Sequence, residues 1–128
     1  MSGRCGIVVG HGRLAEGLLS ALRRVAGEQE NVWAVSNQDL GGDELYARIV
    51  ALMDERCEGR ETYLLSDMDG GSCGQTCRRL LAEGRVRGVL FGVNLPVLVE
   101  FVFLEEPEAE GFLRLAVEKG RKALGARP

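Results

Sequence analysis

The sequence lacks any apolar run long enough to cross a membrane, and its amino-terminal apolar stretch is too short for a signal peptide. A membrane span needs about 18 or more consecutive apolar residues, and no run approaches that length. We therefore expect a cytoplasmic protein. Because the cytosol is reducing, all four cysteines, Cys5, Cys57, Cys73 and Cys77, are expected to be free thiols.

Basic character and metal-binding motifs are also scarce. The formal net charge is −3, with 16 Lys and Arg residues interspersed among 19 Asp and Glu residues. Nucleic-acid-binding domains present a basic stripe, so nucleic acid is not an expected partner. One histidine and no Cys-x-x-Cys pair give no support for a zinc site, so we predict neither a metal nor a cofactor.

No internal repeat, low-complexity segment or linker interrupts the chain. Hydrophobic residues make up 45% of its 128 residues, and a chain of this length buries roughly two-thirds of its unfolded surface. We therefore predict that residues 1–128 form a single domain.

Short apolar runs alternate with segments of helical periodicity. Apolar runs of this kind are typical of buried strands, and they fall at residues 5–9, 32–36, 62–66 and 86–91. The helices between them show buried stripes, the first of which comprises Leu14, Leu18, Leu22 and Val25. Two further helices are predicted at residues 97–104 and 112–124. This alternation predicts an α/β fold, an open parallel sheet with helices on both faces.

The only histidine of the chain, His11, follows the first predicted strand between Gly10 and Gly12. Asp67 follows the third predicted strand. We predict the strand order 2-1-3-4, in which these two strands are neighbours, and ligands bind beyond their carboxyl ends, where the strand order reverses. The topology therefore predicts an imidazole and a carboxylate side by side.

A glycine loop follows Asp67. Gly70 and Gly71 precede Ser72, which is a predicted helix N-cap. Such a loop offers unpaired backbone N–H groups at the positive end of a helix dipole, which suits a phosphoryl group. We predict that His11 carries a phosphoryl group on Nε2, that Asp67 accepts a hydrogen bond from Nδ1–H, and that the glycines and Ser72 hold the phosphoryl oxygens.

Two features near the predicted site have more than one interpretation. Asn94 either ends the fourth strand or lies, with Gly10 and Gly12, on the rim of the crevice. Cys73 and Cys77 are four residues apart on a predicted helix, and this stripe favours buried small apolar residues over a redox or metal pair.

The chain resembles the enzyme IIA domain of the mannose class (the mannose/fructose/sorbose family) of the bacterial phosphoenolpyruvate-dependent sugar phosphotransferase system. Four segments in the same order carry the resemblance: GHGRLAEGLL at residues 10–19, GEQENV at 27–32, LLSDMDGGS at 64–72 and GVNLPVLVE at 92–100.

The resemblance covers almost the whole chain, and it implies that His11 is the phosphorylated histidine. It also implies phospho-HPr as the phosphoryl donor, a IIB protein or domain as the acceptor, and contact with the membrane only through permease subunits. A homodimer, with a possible exchanged C-terminal strand, is implied in the same way.

The chain departs from the common family pattern beside the predicted site. Cys73, Gly74 and Gln75 stand where Pro-Phe-Asn is common, and Asp69 stands where an apolar or aromatic residue is common. A second carboxylate beside a phosphoryl group repels it. Asp69 therefore either tunes the phosphohistidine or points to solvent.

Two alternative functions remain open. The segment GHGRLA at residues 10–15 also fits a dinucleotide-binding fingerprint, with Asp39 as the ribose-binding acid, although 128 residues leave little room for two mononucleotide-binding halves and a substrate site. The chain could instead be a regulatory phosphoprotein of an incomplete phosphotransferase system, with its phosphorylation state read by a partner.

Overall fold

The computed structural model describes residues 3–128 and contains a four-stranded parallel sheet. The strands are β1 (Arg4–Gly10), β2 (Val32–Ser36), β3 (Glu61–Ser66) and β4 (Gly88–Phe91). Their order is β2-β1-β3-β4, and every neighbouring pair is parallel. The α/β fold and the predicted strand order 2-1-3-4 are confirmed.

Five helices among the described residues cover both faces of the sheet. They are α1 (Leu14–Ala26), α2 (Gly42–Arg56), α3 (Gly71–Ala82), α4 (Leu95–Phe103) and α5 (Ala109–Lys122). After α5, residues 124–128 are exposed and form no strand, so exchange of a C-terminal strand stays a prediction. Within residues 3–128, no helix is both long enough and apolar enough to span a membrane.

Two hydrophobic cores lie on opposite faces of the sheet because successive strand residues point to opposite sides. Val8 of β1 packs in the core formed with α1, α4 and α5. Its neighbours Ile7 and Val9 pack in the second core, beneath α2 and α3. The sheet is therefore buried on both faces, as the apolar strands predict.

The predicted buried stripe of α1 is correct at Leu22, is partly correct at Leu18, which is partly buried against the core, and is wrong at its two ends. The structure buries Ala15, Leu19 and Leu22 and leaves Leu14 and Val25 47% and 61% exposed. Both stripes fit a helical period, so packing decides between them. The absence of a side chain at Gly10 lets α1 approach the end of β1 closely at Ala15, since a Cβ atom at Gly10 would lie only 3.2 Å from the Ala15 nitrogen.

The expectation of four free thiols is wrong for two of them. Cys5 in β1 and Cys57 at the end of α2 form a disulfide, with their Cα atoms 5.6 Å apart. These cysteines are 52 residues apart in sequence. They meet because α2 packs on the sheet with its carboxyl end next to β1. Cys73 and Cys77 are buried free thiols on α3.

Candidate functional site

The residues that follow β1, β2 and β3 meet at one edge of the sheet. The parallel register places Gly10 opposite Ser36 and Val9 opposite Ser66. His11, Asn37 and Asp67 are therefore the residues that directly follow three adjacent strands.

The structure places His11 and Asp67 in direct contact. Nδ1 of His11 lies 2.8 Å from Oδ2 of Asp67, and the backbone N–H of His11 donates to the same oxygen, also at 2.8 Å. Because an ionised carboxylate can only accept hydrogen bonds, this contact places a proton on Nδ1 and leaves the lone pair of a neutral ring on Nε2. The Asp67 side chain is 6% exposed and that of His11 is 42% exposed, so a buried group orients an accessible one.

The second carboxylate oxygen of Asp67 has a different environment. Oδ1 is buried and has no hydrogen-bond partner among residues 3–128. Most buried polar groups in proteins have such a partner, so Asp67 retains an unused acceptor beside the imidazole.

The amino terminus of α3 lies against Nε2 of His11. Gly71, the first residue of α3, has a φ of +76°, and a Cβ atom at this position would lie 3.0 Å from Nε2. The N-cap residue is Gly70, which has no side chain with which to cap the helix. The first backbone N–H groups of the helix therefore carry the positive end of its dipole beside the imidazole.

The prediction that Ser72 is the N-cap is wrong, because Gly70 occupies that position and Ser72 lies inside the first turn. The Ser72 hydroxyl oxygen instead accepts a hydrogen bond from Nδ2 of Asn37 at 2.9 Å. A hydroxyl group that accepts one hydrogen bond can still donate its own proton. The Ser72 proton is thus the donor that this residue can offer at the amino end of α3, either to the Cys73 sulfur or to a bound oxygen atom.

Asn37 and Ser36, which were not predicted as site residues, fix the loop around His11. Oδ1 of Asn37 accepts a hydrogen bond from the backbone N–H of Gly12 at 3.3 Å, and the Ser36 hydroxyl donates to the Gly12 carbonyl oxygen at 2.5 Å. Gly12 has a φ of +56°, a conformation that favours glycine. Both missed residues lie where β2 ends, and this position is the signal that would have identified them.

The Asp69 carboxylate pairs with Arg78 of α3, and its side chain is 76% exposed. The guanidinium Nη1 of Arg78 also donates to the Asp69 carbonyl oxygen at 2.7 Å. A Cβ atom at Gly74 would lie 1.9 Å from that carbonyl oxygen, so the Asp69 loop packs directly on α3. Phenylalanine is common at position 74 in the family pattern, and its side chain would clash with the Asp69 loop as it is placed here.

Asn94 makes its contacts away from the imidazole. Its side-chain oxygen caps α4 by accepting from the Val97 N–H at 2.9 Å, and its Nδ2 donates to the Gly120 carbonyl oxygen at 3.3 Å. Asn94 therefore joins the start of α4 to the end of α5.

Both free cysteines have weakly acidic thiols. Burial and, to a smaller extent, the nearby Asp67 carboxylate raise the pKa of Cys73 to about 11, against the opposing effect of a hydrogen bond from Ser72. Burial, followed by the proximity of Cys73, raises the pKa of Cys77 to about 12. Both residues are therefore neutral thiols at physiological pH.

Solved structures of sugar phosphotransferase components share this fold. The mannose/sorbose-specific IIA subunit from Enterococcus faecalis has a TM-score of 0.84 at 21% identity, with 100% of this chain and 96% of that chain covered. The EIIA component from Streptococcus agalactiae has a TM-score of 0.84 at 25% identity, with 96% of each chain covered.

The family model described as "PTS system fructose IIA component" matches residues 6–116. The mannose-specific EIIAB component of Escherichia coli (strain K12) is 34% identical over 129 residues, which cover 95% of this chain and 40% of that protein. The chain thus spans less than half the length of this relative. These matches, on the fold and site described above, show that the chain belongs to the enzyme IIA family of the mannose class of the bacterial phosphoenolpyruvate-dependent sugar phosphotransferase system.

Proposed function

We propose that this chain is a phosphocarrier that accepts a phosphoryl group from phospho-HPr on His11 and passes it to a IIB partner during sugar uptake. Membership of the IIA family supports phosphoryl transfer. The observation that carries the proposal is the contact of Nδ1 with the buried Asp67, which directs the free lone pair of Nε2 toward the amino terminus of α3.

In the first step, the lone pair of Nε2 attacks the phosphorus atom held by the donor. The new N–P bond forms as the bond from phosphorus to the donor breaks, and the donor keeps that electron pair. Positive charge develops on the imidazole ring of His11, and the Asp67 carboxylate stabilises it through the Nδ1–H hydrogen bond. Transfer to the acceptor is the reverse reaction with a different partner.

The phosphoryl oxygens are held by backbone N–H groups near Gly70 and Gly71 and by the hydroxyl proton of Ser72. The positive end of the α3 dipole favours an anion at this position. Arg78 pairs with the Asp69 carboxylate, which reduces the repulsion that this carboxylate would exert on the incoming group.

The surroundings of His11 suit protein partners. The imidazole is 42% exposed, and the apolar side chains of Met68 and Leu14 near the same edge are 51% and 47% exposed. Exposed apolar groups around a reactive atom favour docking of another protein surface. The homodimer and the cytoplasmic location implied by the sequence stay predictions.

The regulatory alternative uses the same chemistry and differs only in what reads the phosphohistidine. The nucleotide-binding alternative has less support, because the Gly12 N–H of its fingerprint donates to Asn37 instead of facing a ligand. Family membership also favours phosphoryl transfer over nucleotide binding.

Incubation with phosphoenolpyruvate, enzyme I and HPr should add one phosphate per chain, detected by intact mass. The adduct should be labile in acid and stable in base, as expected for phosphohistidine, and His11→Ala should abolish it. If a control acceptor is labelled in the same mixture while the wild-type chain stays unmodified, the proposal fails.

Asp67→Asn should retain the fold but slow phosphoryl transfer. An amide can present the wrong partner to Nδ1 and stabilises the charged ring less, and the analogous change in a serine-protease triad, at about 10⁴-fold, sets an upper reference. Asp69→Asn is the matched control, because this carboxylate is two residues away and largely exposed. Single-turnover transfer from phospho-HPr should separate the two variants, and equal rates would contradict the assigned role of Asp67.

Gly71→Ala should block transfer by placing a methyl group against Nε2. Gly84→Ala is its matched control, since Gly84 has a similar φ of +72° but no atoms near its Cβ position. Both variants should lose about 1–2 kcal/mol of stability from the left-handed conformation, measured by urea unfolding. Only Gly71→Ala should lose transfer; a similar loss in both variants would show that backbone strain, not access to Nε2, is responsible.

A further inference from the structure

Cys73 completes a cluster of three potential metal ligands with His11 and Asp67. One nitrogen of the imidazole, one carboxylate oxygen and the cysteine sulfur all lie within 4.8 Å of one another. Nitrogen, oxygen and sulfur donors of these three kinds are the ligands that Zn²⁺ takes in proteins, and three protein ligands leave its fourth position open. The His11 side chain is the exposed member of the cluster, so the fourth coordination position of a bound ion can face solvent.

A second, independent observation points to a cation at this position. Oδ1 of Asp67 is buried without a hydrogen-bond partner among the described residues, and the Asp67 side chain is 94% buried, being only 6% exposed. Leaving such an oxygen unpaired is costly. A cation bound by Asp67 would compensate the buried negative charge.

We propose that His11, Asp67 and Cys73 bind one Zn²⁺ ion, and that the bound ion prevents phosphoryl acceptance by His11. The binding part of this proposal is independent of the phosphocarrier function. The inhibitory part rests on that proposed function.

Bound Zn²⁺ prevents phosphoryl acceptance by His11 whether Nδ1 or Nε2 is the ligand. If Nε2 is the ligand, its lone pair is occupied. If Nδ1 is the ligand, the proton of the neutral ring must lie on Nε2, which again has no free lone pair. In both cases Nε2 cannot attack phosphorus.

The charge balance of the site is consistent with this effect. Binding displaces the thiol proton of Cys73 to solvent, since the thiolate is the form that binds metal. The two charges of Zn²⁺ are then neutralised by one thiolate and one carboxylate. The bound ion therefore offers little net attraction to an anionic phosphoryl group.

The ligand spacing explains why the sequence predicts no zinc site. His11 follows β1, Asp67 follows β3, and Cys73 lies in the first turn of α3. The three ligands therefore form no local sequence motif. Cys73 also stands where proline is common in the family pattern, and proline has no side-chain donor. The proposed site is therefore specific to chains with a metal-binding side chain at this position.

The binding test is a Zn²⁺ titration of metal-free protein against a chromophoric chelator. Anaerobic buffer without reductant keeps Cys5 and Cys57 paired and removes them as competing ligands. We expect one Zn²⁺ per chain, with affinity weakened at least about tenfold in both Cys73→Ala and His11→Ala. Cys77→Ala, which removes the other buried thiol of α3, should bind as the wild type does.

Co²⁺ in place of Zn²⁺ provides a direct readout of the sulfur ligand. The wild-type complex should show a thiolate-to-cobalt charge-transfer band, and Cys73→Ala should lose it. Absence of stoichiometric Zn²⁺ binding, unchanged affinity in Cys73→Ala, or equal loss in Cys77→Ala would each overturn the proposed site. None of these measurements uses a phosphoryl donor, so their outcome is separate from that of the phosphocarrier proposal.

The inhibitory part is tested with preformed phospho-HPr. Stoichiometric Zn²⁺ should suppress wild-type acceptance, and a chelator should restore it. Cys73→Ala, compared with its own metal-free rate, should need at least about tenfold more Zn²⁺ for the same suppression. Undiminished transfer to the Zn²⁺-loaded wild type would overturn inhibition.

Discussion

The pair of hydrogen bonds from His11 to one oxygen of Asp67 is the constraint on which the proposed site depends. One bond fixes the backbone where β1 ends, and the other fixes the imidazole ring. Because β1 and β3 are adjacent and parallel, both residues leave the sheet at the same edge. The acceptor is buried and the imidazole is accessible, so a buried carboxylate holds the reactive ring in place while the ring itself stays accessible to a partner.

The rest of the site surrounds this pair with complementary charge and rigid loops. A carboxylate lies on the Nδ1 side of the ring, and the positive end of α3 lies on the Nε2 side. Asn37 links these parts by accepting from Gly12 and donating to Ser72. The same cluster, with Cys73 added, provides the ligands of the proposed zinc site, so phosphoryl acceptance and metal binding compete for one imidazole.

The features predicted correctly from the sequence depend on where strands end. The parallel sheet follows from the alternation of apolar runs with helical periods, and the proximity of His11 and Asp67 follows from their positions after strands that are neighbours in the order 2-1-3-4. The features that were missed depend on packing between distant elements. Two stripes of α1 fit the same period, and the close approach of Ala15 to Gly10 selects one. The Cys5–Cys57 disulfide and the position of Cys73 beside Asp67 leave no local signal in the sequence.

The most direct test of the account is the tautomer of the neutral His11 ring in metal-free, unphosphorylated protein. A long-range ¹⁵N–¹H correlation spectrum reports which ring nitrogen carries the proton, and the single histidine of the chain makes its assignment unambiguous. The contact with Asp67 predicts a proton on Nδ1 and an unprotonated Nε2. A ring protonated mainly on Nε2 would contradict the account, because the lone pair would then face the buried carboxylate instead of the phosphoryl donor.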